Sequence, residues 1–90
     1  MLRVKDGFLI QKMMDGYIIV PTGKNADSFH AMIQTNETGA FYWHLLEKGT
    51  TPEELARAAT ERFVDLDETT ALLDINEFLE NISAAVETVE

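Results

Sequence analysis

Cysteine is absent from this chain of 90 residues. Its absence excludes a disulfide framework, a thiol nucleophile, and zinc or iron–sulfur sites built on cysteine. Long apolar runs are absent as well, since no stretch approaches the roughly 20 residues that a membrane helix needs. The first residues also lack the apolar core of a secretory signal. We therefore expect a cytoplasmic protein without a membrane segment.

Residues that usually carry catalysis are few and poorly spaced. No metal-ligand motif such as H-E-x-x-H accompanies the two histidines, His30 and His44. Neither Ser28 nor Ser83 lies in the G-x-S-x-G turn of the serine hydrolases. The glycines are scattered singly, so they form no phosphate-binding loop. The sequence therefore predicts a protein that is not an enzyme and that binds neither a metal nor a cofactor.

Positive charge is scarce in the second half of the chain. The formal net charge is −9, and residues 50–90 account for all of it, because acidic and basic residues balance in residues 1–49. Residues 66–90 contain no lysine or arginine. Contacts with phosphate dominate affinity for nucleic acids, and an acidic surface repels phosphate. We therefore expect no nucleic-acid partner and favour a partner with a basic or neutral surface.

The N-terminal part of the chain has the pattern of a β-hairpin. Apolar runs at residues 8–14 and 17–22 flank an Asp-Gly pair at residues 15–16. Such a pair is typical of a two-residue type I′ turn, which needs positive φ at both central positions. In the register that this turn sets, Met14 faces Tyr17. The sequence thus predicts two antiparallel strands over these two runs.

One more strand and three helices are expected after the hairpin. Alternation of apolar and polar residues predicts the strand at residues 29–35. The helices are predicted at residues 36–48, 51–63 and 67–84, and each begins at a good N-cap residue: Asn36, Thr51 and Asp67. Gly39, inside the first helix, indicates close backbone packing against the sheet. With 90 residues, the chain has room for one domain, residues 1–90.

Three segments carry a resemblance to a known family: NETGAF at residues 36–41 with Trp43, TPEEL at residues 51–55, and DINEFL at residues 74–79. With the order of elements, they resemble the PqqD family, also called RiPP recognition elements, which serve ribosomally made, post-translationally modified peptides. The resemblance spans nearly the whole chain. It implies an α+β, winged-helix-like fold in which a three-stranded antiparallel sheet (hairpin plus one strand) packs with three C-terminal helices.

The resemblance also implies a function. Members of this family hold the leader segment of a precursor peptide and present it to a modifying enzyme, often a radical SAM enzyme. The leader adds to the third strand and lies between that strand and the third helix. On this chain the implied contact residues are Ala31, Met32, Ile33, Gln34 and Thr35 on the strand, and Leu73, Asp74, Glu77 and Phe78 on the helix. Asp74 and Glu77 would pair with a basic residue of the leader.

Two alternative functions remain open from the sequence. A winged-helix DNA-binding regulator shares the expected topology, although its reading helix would need arginine and lysine for phosphates and base edges. A structural module is the other alternative, in which the exposed sheet edge pairs with a second copy to make a homodimer.

Overall fold

The computed structural model describes residues 1–23 and 33–89. Within these residues the strands are β1 (Leu2–Val4), β2 (Phe8–Met13), β3 (Gly16–Pro21), β4 (Ile33–Thr35) and β5 (Val86–Thr88). The helices are α1 (Glu37–Lys48), α2 (Pro52–Arg62) and α3 (Glu68–Asn81), and a short 3₁₀ turn, Ser83–Ala85, follows α3. The predicted α+β class, with a three-stranded antiparallel sheet and three helices, is confirmed. No helix among these residues has both the length and the apolar character needed to cross a membrane.

The main sheet has the order β2-β3-β4 and is antiparallel throughout. Its hairpin register differs from the predicted one by two residues, because Met13 and not Met14 closes the turn, opposite Gly16. Positive φ is found among the described residues only at glycines, so the central residues Met14 and Asp15 cannot form a type I′ turn. A shift of two residues preserves which side chains share a face. The prediction is therefore wrong in register and in turn type, while the two antiparallel strands are as predicted.

Gly16 explains the observed register. It has φ +149°, and a Cβ at this position would lie 2.8 Å from the carbonyl oxygen of Thr35. A side chain there would therefore clash with the backbone of β4. Only glycine lets β3 begin at this point and still accept β4 beside it.

The predicted third strand is described only in part. Ile33–Thr35 forms β4, whereas residues 29–32 lie outside the described residues. β4 pairs with β3, with Thr35 opposite Tyr17 and Ile33 opposite Ile19.

A second, two-stranded sheet was not predicted. α3 ends at Asn81 rather than near residue 84, since Ile82 leaves the helix with φ −108° and ψ 20°. The β-branched residues that follow then form β5, which pairs with β1 so that Val4 faces Val86. The pairing brings the two ends of the described chain together, and the Val89 N–H donates to the Met1 carbonyl at 2.8 Å.

The three predicted caps are confirmed. Asn36 Oδ1 accepts from the Gly39 N–H at 2.9 Å, Thr51 Oγ1 accepts from the Glu54 N–H at 3.2 Å, and Asp67 Oδ1 accepts from the Thr70 N–H at 2.8 Å.

The helices pack around a core whose largest fully buried side chains are Trp43, Tyr42, Ile19, Leu46, Leu55, Ile75 and Ile82. The core thereby fixes α1 and α3 against the sheet.

Candidate functional site

Within residues 1–23 and 33–89, one edge of the main sheet is open along β4. In the described part of the chain, β4 pairs with β3 and with no other strand. An edge strand presents a row of unpaired N–H and C=O groups on its outer side, which can pair with another extended chain. As far as the described residues go, the backbone of Ile33–Thr35 is therefore available for pairing on that side.

A groove of about 200 Å³ separates this edge from α3. Gln34 and Thr35 line it on the strand side, and Asp74, Glu77 and Phe78 line it on the α3 side. The volume is below the roughly 300 Å³ at which small-molecule pockets begin. A shallow groove beside an open strand is better suited to an extended chain than to an enclosed small ligand.

Gly39 of α1 lies in the floor of the groove. A Cβ at this position would overlap the Thr35 hydroxyl and lie 3.0 Å from Cε1 of Phe78. β4, α1 and α3 therefore meet at one point, where glycine avoids a clash with the side chains of Thr35 and Phe78. The close packing predicted from this glycine is confirmed.

Tyr42 of α1 ties the floor of the groove to its helical wall. Its side chain is fully buried, and its hydroxyl donates to Asp74 Oδ2 at 3.1 Å. Burial raises the pKa of Tyr42, and the neighbouring negative charge of Asp74 raises it further. The phenol therefore remains a neutral donor and holds one carboxylate oxygen of Asp74 in place.

The groove carries negative charge. Asp74 and Glu77, three residues apart on α3, contribute a carboxylate each, and no lysine or arginine is among the lining residues. Arg3 pairs with Glu87, Arg62 pairs with Glu37, and His44 is hydrogen-bonded to Glu47; none of these residues lines the groove. No group of three or more metal-ligating side chains is found among the residues that the structure describes.

Five of the residues suggested by the family resemblance come together in the groove: Gln34, Thr35, Asp74, Glu77 and Phe78. Ile33 is half-buried and packs against the core. Leu73 is 68% exposed and does not line the groove. Ala31 and Met32 lie outside the described residues.

Sequence reasoning missed four residues that line the groove: Asn36, Gly39, Tyr42 and Asn81. The sequence indicates a cap at Asn36 and a packing position at Gly39, without a role at the site for either. Helical spacing could have found Asn81, which is four residues after Glu77. Tyr42 meets Asp74 only through the packing of α1 against α3.

Comparison with known proteins agrees with this geometry. The sequence model of the family described as "Coenzyme PQQ synthesis protein D (PqqD)" matches residues 16–85. The chain belongs to the PqqD family. The resemblance seen in the sequence is thus confirmed, although no curated protein matches the chain significantly.

Two solved structures share the fold of this PqqD-family chain. One is described as "TbiB1 in Complex with the TbiA(beta) Leader Peptide", with a TM-score of 0.73, 20% identity, and coverage of 98% of each chain. The other is described as "Lasso peptide synthetase B1 complexed with the leader peptide", with a TM-score of 0.72, 18% identity, and coverage of 97% of this chain and 98% of that one. With sequence identities of 20% and 18%, the structural similarity shows a common fold across the length of the chain.

Proposed function

We propose that this chain is a non-catalytic module that captures the leader segment of a ribosomally made precursor peptide and presents it to a modifying enzyme. The observation that carries the proposal is the open edge of β4 beside the α3 groove. Membership of the PqqD family supports it. Further support comes from the two proteins of similar fold, whose structures are both complexes with a leader peptide.

The proposed mechanism of capture is strand addition. The leader pairs with the backbone of residues 31–35, of which Ile33–Thr35 is described as β4. Main-chain hydrogen bonds supply affinity in this mode, and neighbouring side chains supply selectivity. Gln34 and Phe78 offer contacts on the two walls, and Leu73 is exposed on α3 outside the groove. Asp74 and Glu77 pair with a basic residue of the leader.

The proposed role requires no chemistry from this chain. The module binds the leader, and its partner enzyme, for example a radical SAM enzyme, performs the modification. The module itself uses no metal or cofactor. We place this role in the cytoplasm, where precursor peptides are synthesised.

An amide-detected NMR titration of the isotope-labelled chain tests the proposal. The ligands are synthetic leader segments of precursor peptides encoded near its gene, and a scrambled leader is the control. We expect shifts concentrated at Ile33–Thr35 and along α3. If the leader binds and leaves the Ile33–Thr35 amides unshifted, strand addition is wrong.

A sedimentation series without peptide tests the competing use of the same edge. Self-association that the leader does not reverse would favour the structural module, in which β4 pairs with a second copy. Loss of a dimer on adding leader would instead indicate that peptide and partner copy compete for the strand.

A further inference from the structure

A second depression lies beyond the C-terminal end of β4. Its volume is about 590 Å³, and it lies between the first turn of α1 and the segment that joins α2 to α3. Phe63, Val64 and Leu66 form its apolar part, and Arg62, Asn36 and Asp74 are among its polar lining. The volume and the mixture of apolar and polar groups are those of a ligand pocket. We call it the loop pocket.

The apolar wall of the loop pocket is held in place before any ligand arrives. The ring of Phe63 packs edge-on against Phe41 with centroids 5.5 Å apart. The guanidinium of Arg62 lies 5.3 Å from the centroid of the same ring. Val64, in contrast, is 96% exposed. The pocket therefore combines the packed aromatic ring of Phe63 with the solvent-exposed aliphatic side chain of Val64.

The loop pocket adjoins the groove beside β4 and shares two lining residues with it. Asn36 and Asp74 line both depressions, and Asn36 directly follows the last residue of β4. A chain that lies along Ile33–Thr35 and continues past Asn36 therefore reaches the loop pocket next.

The groove itself offers little for an apolar anchor. Phe78 is 8% exposed, and most of the other residues that line the groove are polar. The described part of β4 has three residues, so its backbone can supply only a few hydrogen bonds. Peptide interfaces generally take most of their affinity from a small number of buried apolar or aromatic anchors. Beyond the C-terminal end of β4, the loop pocket offers a place for such an anchor.

We propose that the loop pocket binds one apolar side chain, preferably aromatic, of the same peptide that pairs with β4. This anchor flanks the strand-forming segment of the peptide and covers Val64. The inference rests on the proposed function, because it assigns a second contact to the same ligand. It predicts that peptides bound by this module share an apolar residue just outside the paired segment.

Selection from a random peptide library tests the inference and does not require the natural ligand. The full chain is immobilised, and enriched peptides of about ten residues, the upper range of strand length, are synthesised and titrated. We expect an enriched apolar position, and amide shifts at Val64 and Leu66 together with those at Gln34 and Thr35. Removing that side chain from the peptide should abolish the shifts at Val64 and leave those at Gln34.

Val64→Asp provides the matching change on the protein. Because Val64 is almost fully exposed, the fold should tolerate it, and affinity should fall about tenfold through loss of one buried valine contact. Leu9→Asp is the control, since Leu9 is also an exposed apolar side chain and lines none of the depressions beside β4 or α3. Its effect should stay within about twofold, as for ordinary surface substitutions.

The outcomes separate this inference from the proposed function. Peptides that shift the β4 amides, but bind wild type and Val64→Asp equally, overturn the loop pocket and leave strand addition intact. Equal losses in Val64→Asp and Leu9→Asp would also overturn it, by indicating a general charge effect. A library that yields no binding peptide overturns both proposals.

Discussion

The hydroxyl of Tyr42 donates to Asp74 across 3.1 Å and joins α1 to α3 beneath the groove. The donor is fully buried, whereas Asp74 opens towards the groove and the loop pocket. One hydrogen bond therefore links the packed interior to the proposed peptide-binding surface.

Removing the hydroxyl should loosen this link. Tyr42→Phe keeps the ring and its packing against Phe78, whose centroid lies 5.6 Å away. We expect a loss of about 1 kcal/mol in the free energy of unfolding, measured by urea denaturation. Asp74→Asn retains an acceptor for the hydroxyl and should cost less. An unchanged stability in Tyr42→Phe would indicate that the bond contributes nothing net.

Alkaline titration should reveal the same residue. The pKa of Tyr42 is raised from its ordinary value of 10.0 in the folded protein. The unfolded chain therefore releases this proton at lower pH than the folded chain does, and stability falls as the pH rises above about 10. Tyr42→Phe should show a shallower decline in denaturation midpoints over this range. Equal slopes for both proteins would contradict the assignment.

The cap of α3 should make stability depend on pH at the acid end. Hydrogen bonds from the backbone and side chain of Thr70 lower the pKa of Asp67. The cap therefore contributes fully above the unfolded pKa, and its contribution is lost as the pH falls through the lower folded value. Asp67→Asn should keep a capped helix but remove this dependence, whereas Asp67→Ala should destabilise at neutral pH too. Thermal unfolding at several pH values distinguishes the three proteins.

A methyl group at Gly39 should damage both stability and binding. In an exposed helix Gly→Ala stabilises by up to ~1 kcal/mol, but here the Cβ would overlap Thr35. We expect Gly39→Ala to destabilise by about 1–3 kcal/mol, as overpacked sites do, and to displace β4. Adding Thr35→Ala should restore part of the loss, because it removes the Thr35 hydroxyl that the new methyl would overlap. Failure of this rescue in denaturant titrations would mean that the clash lies elsewhere.

The acidic wall of the groove should affect the choice of peptide. For a leader with a basic residue, Asp74→Asn or Glu77→Gln should weaken binding about two- to fivefold, the range of an exposed ion pair. Glu80→Gln makes the same charge change on α3 outside the groove and should have little effect. Calorimetry at low and high salt provides the check, since salt should reduce the difference. A peptide without basic residues should bind all four proteins alike.

Local rules predicted the helices well. Asn36, Thr51 and Asp67 each cap a helix through a side chain that reaches three residues ahead. Such bonds depend on sequence neighbours alone, so no tertiary information was needed. The strand edge and α3 were correctly suggested as neighbours through the family resemblance, which carries tertiary information that spacing does not.

Features that depend on distant partners were less predictable. The hairpin register depends on the contact of Gly16 with Thr35 in another strand. The pairing of Arg3 with Glu87 in β1 and β5 joins opposite ends of the chain, and no local pattern encodes it. At the site, the role of Tyr42 was not predicted, because its hydroxyl meets Asp74 only after α1 and α3 have packed together.

The antiparallel pairing of β1 with β5 leaves Met1 and Val89 side by side. Neither strand lines the groove or the loop pocket. Because these two residues are adjacent, the domain could be inserted into a loop of another protein without separating the two sides of that loop. A short linker across the same gap would likewise permit circular permutation, with new ends opened at an exposed turn such as Met14-Asp15 while both binding surfaces are kept.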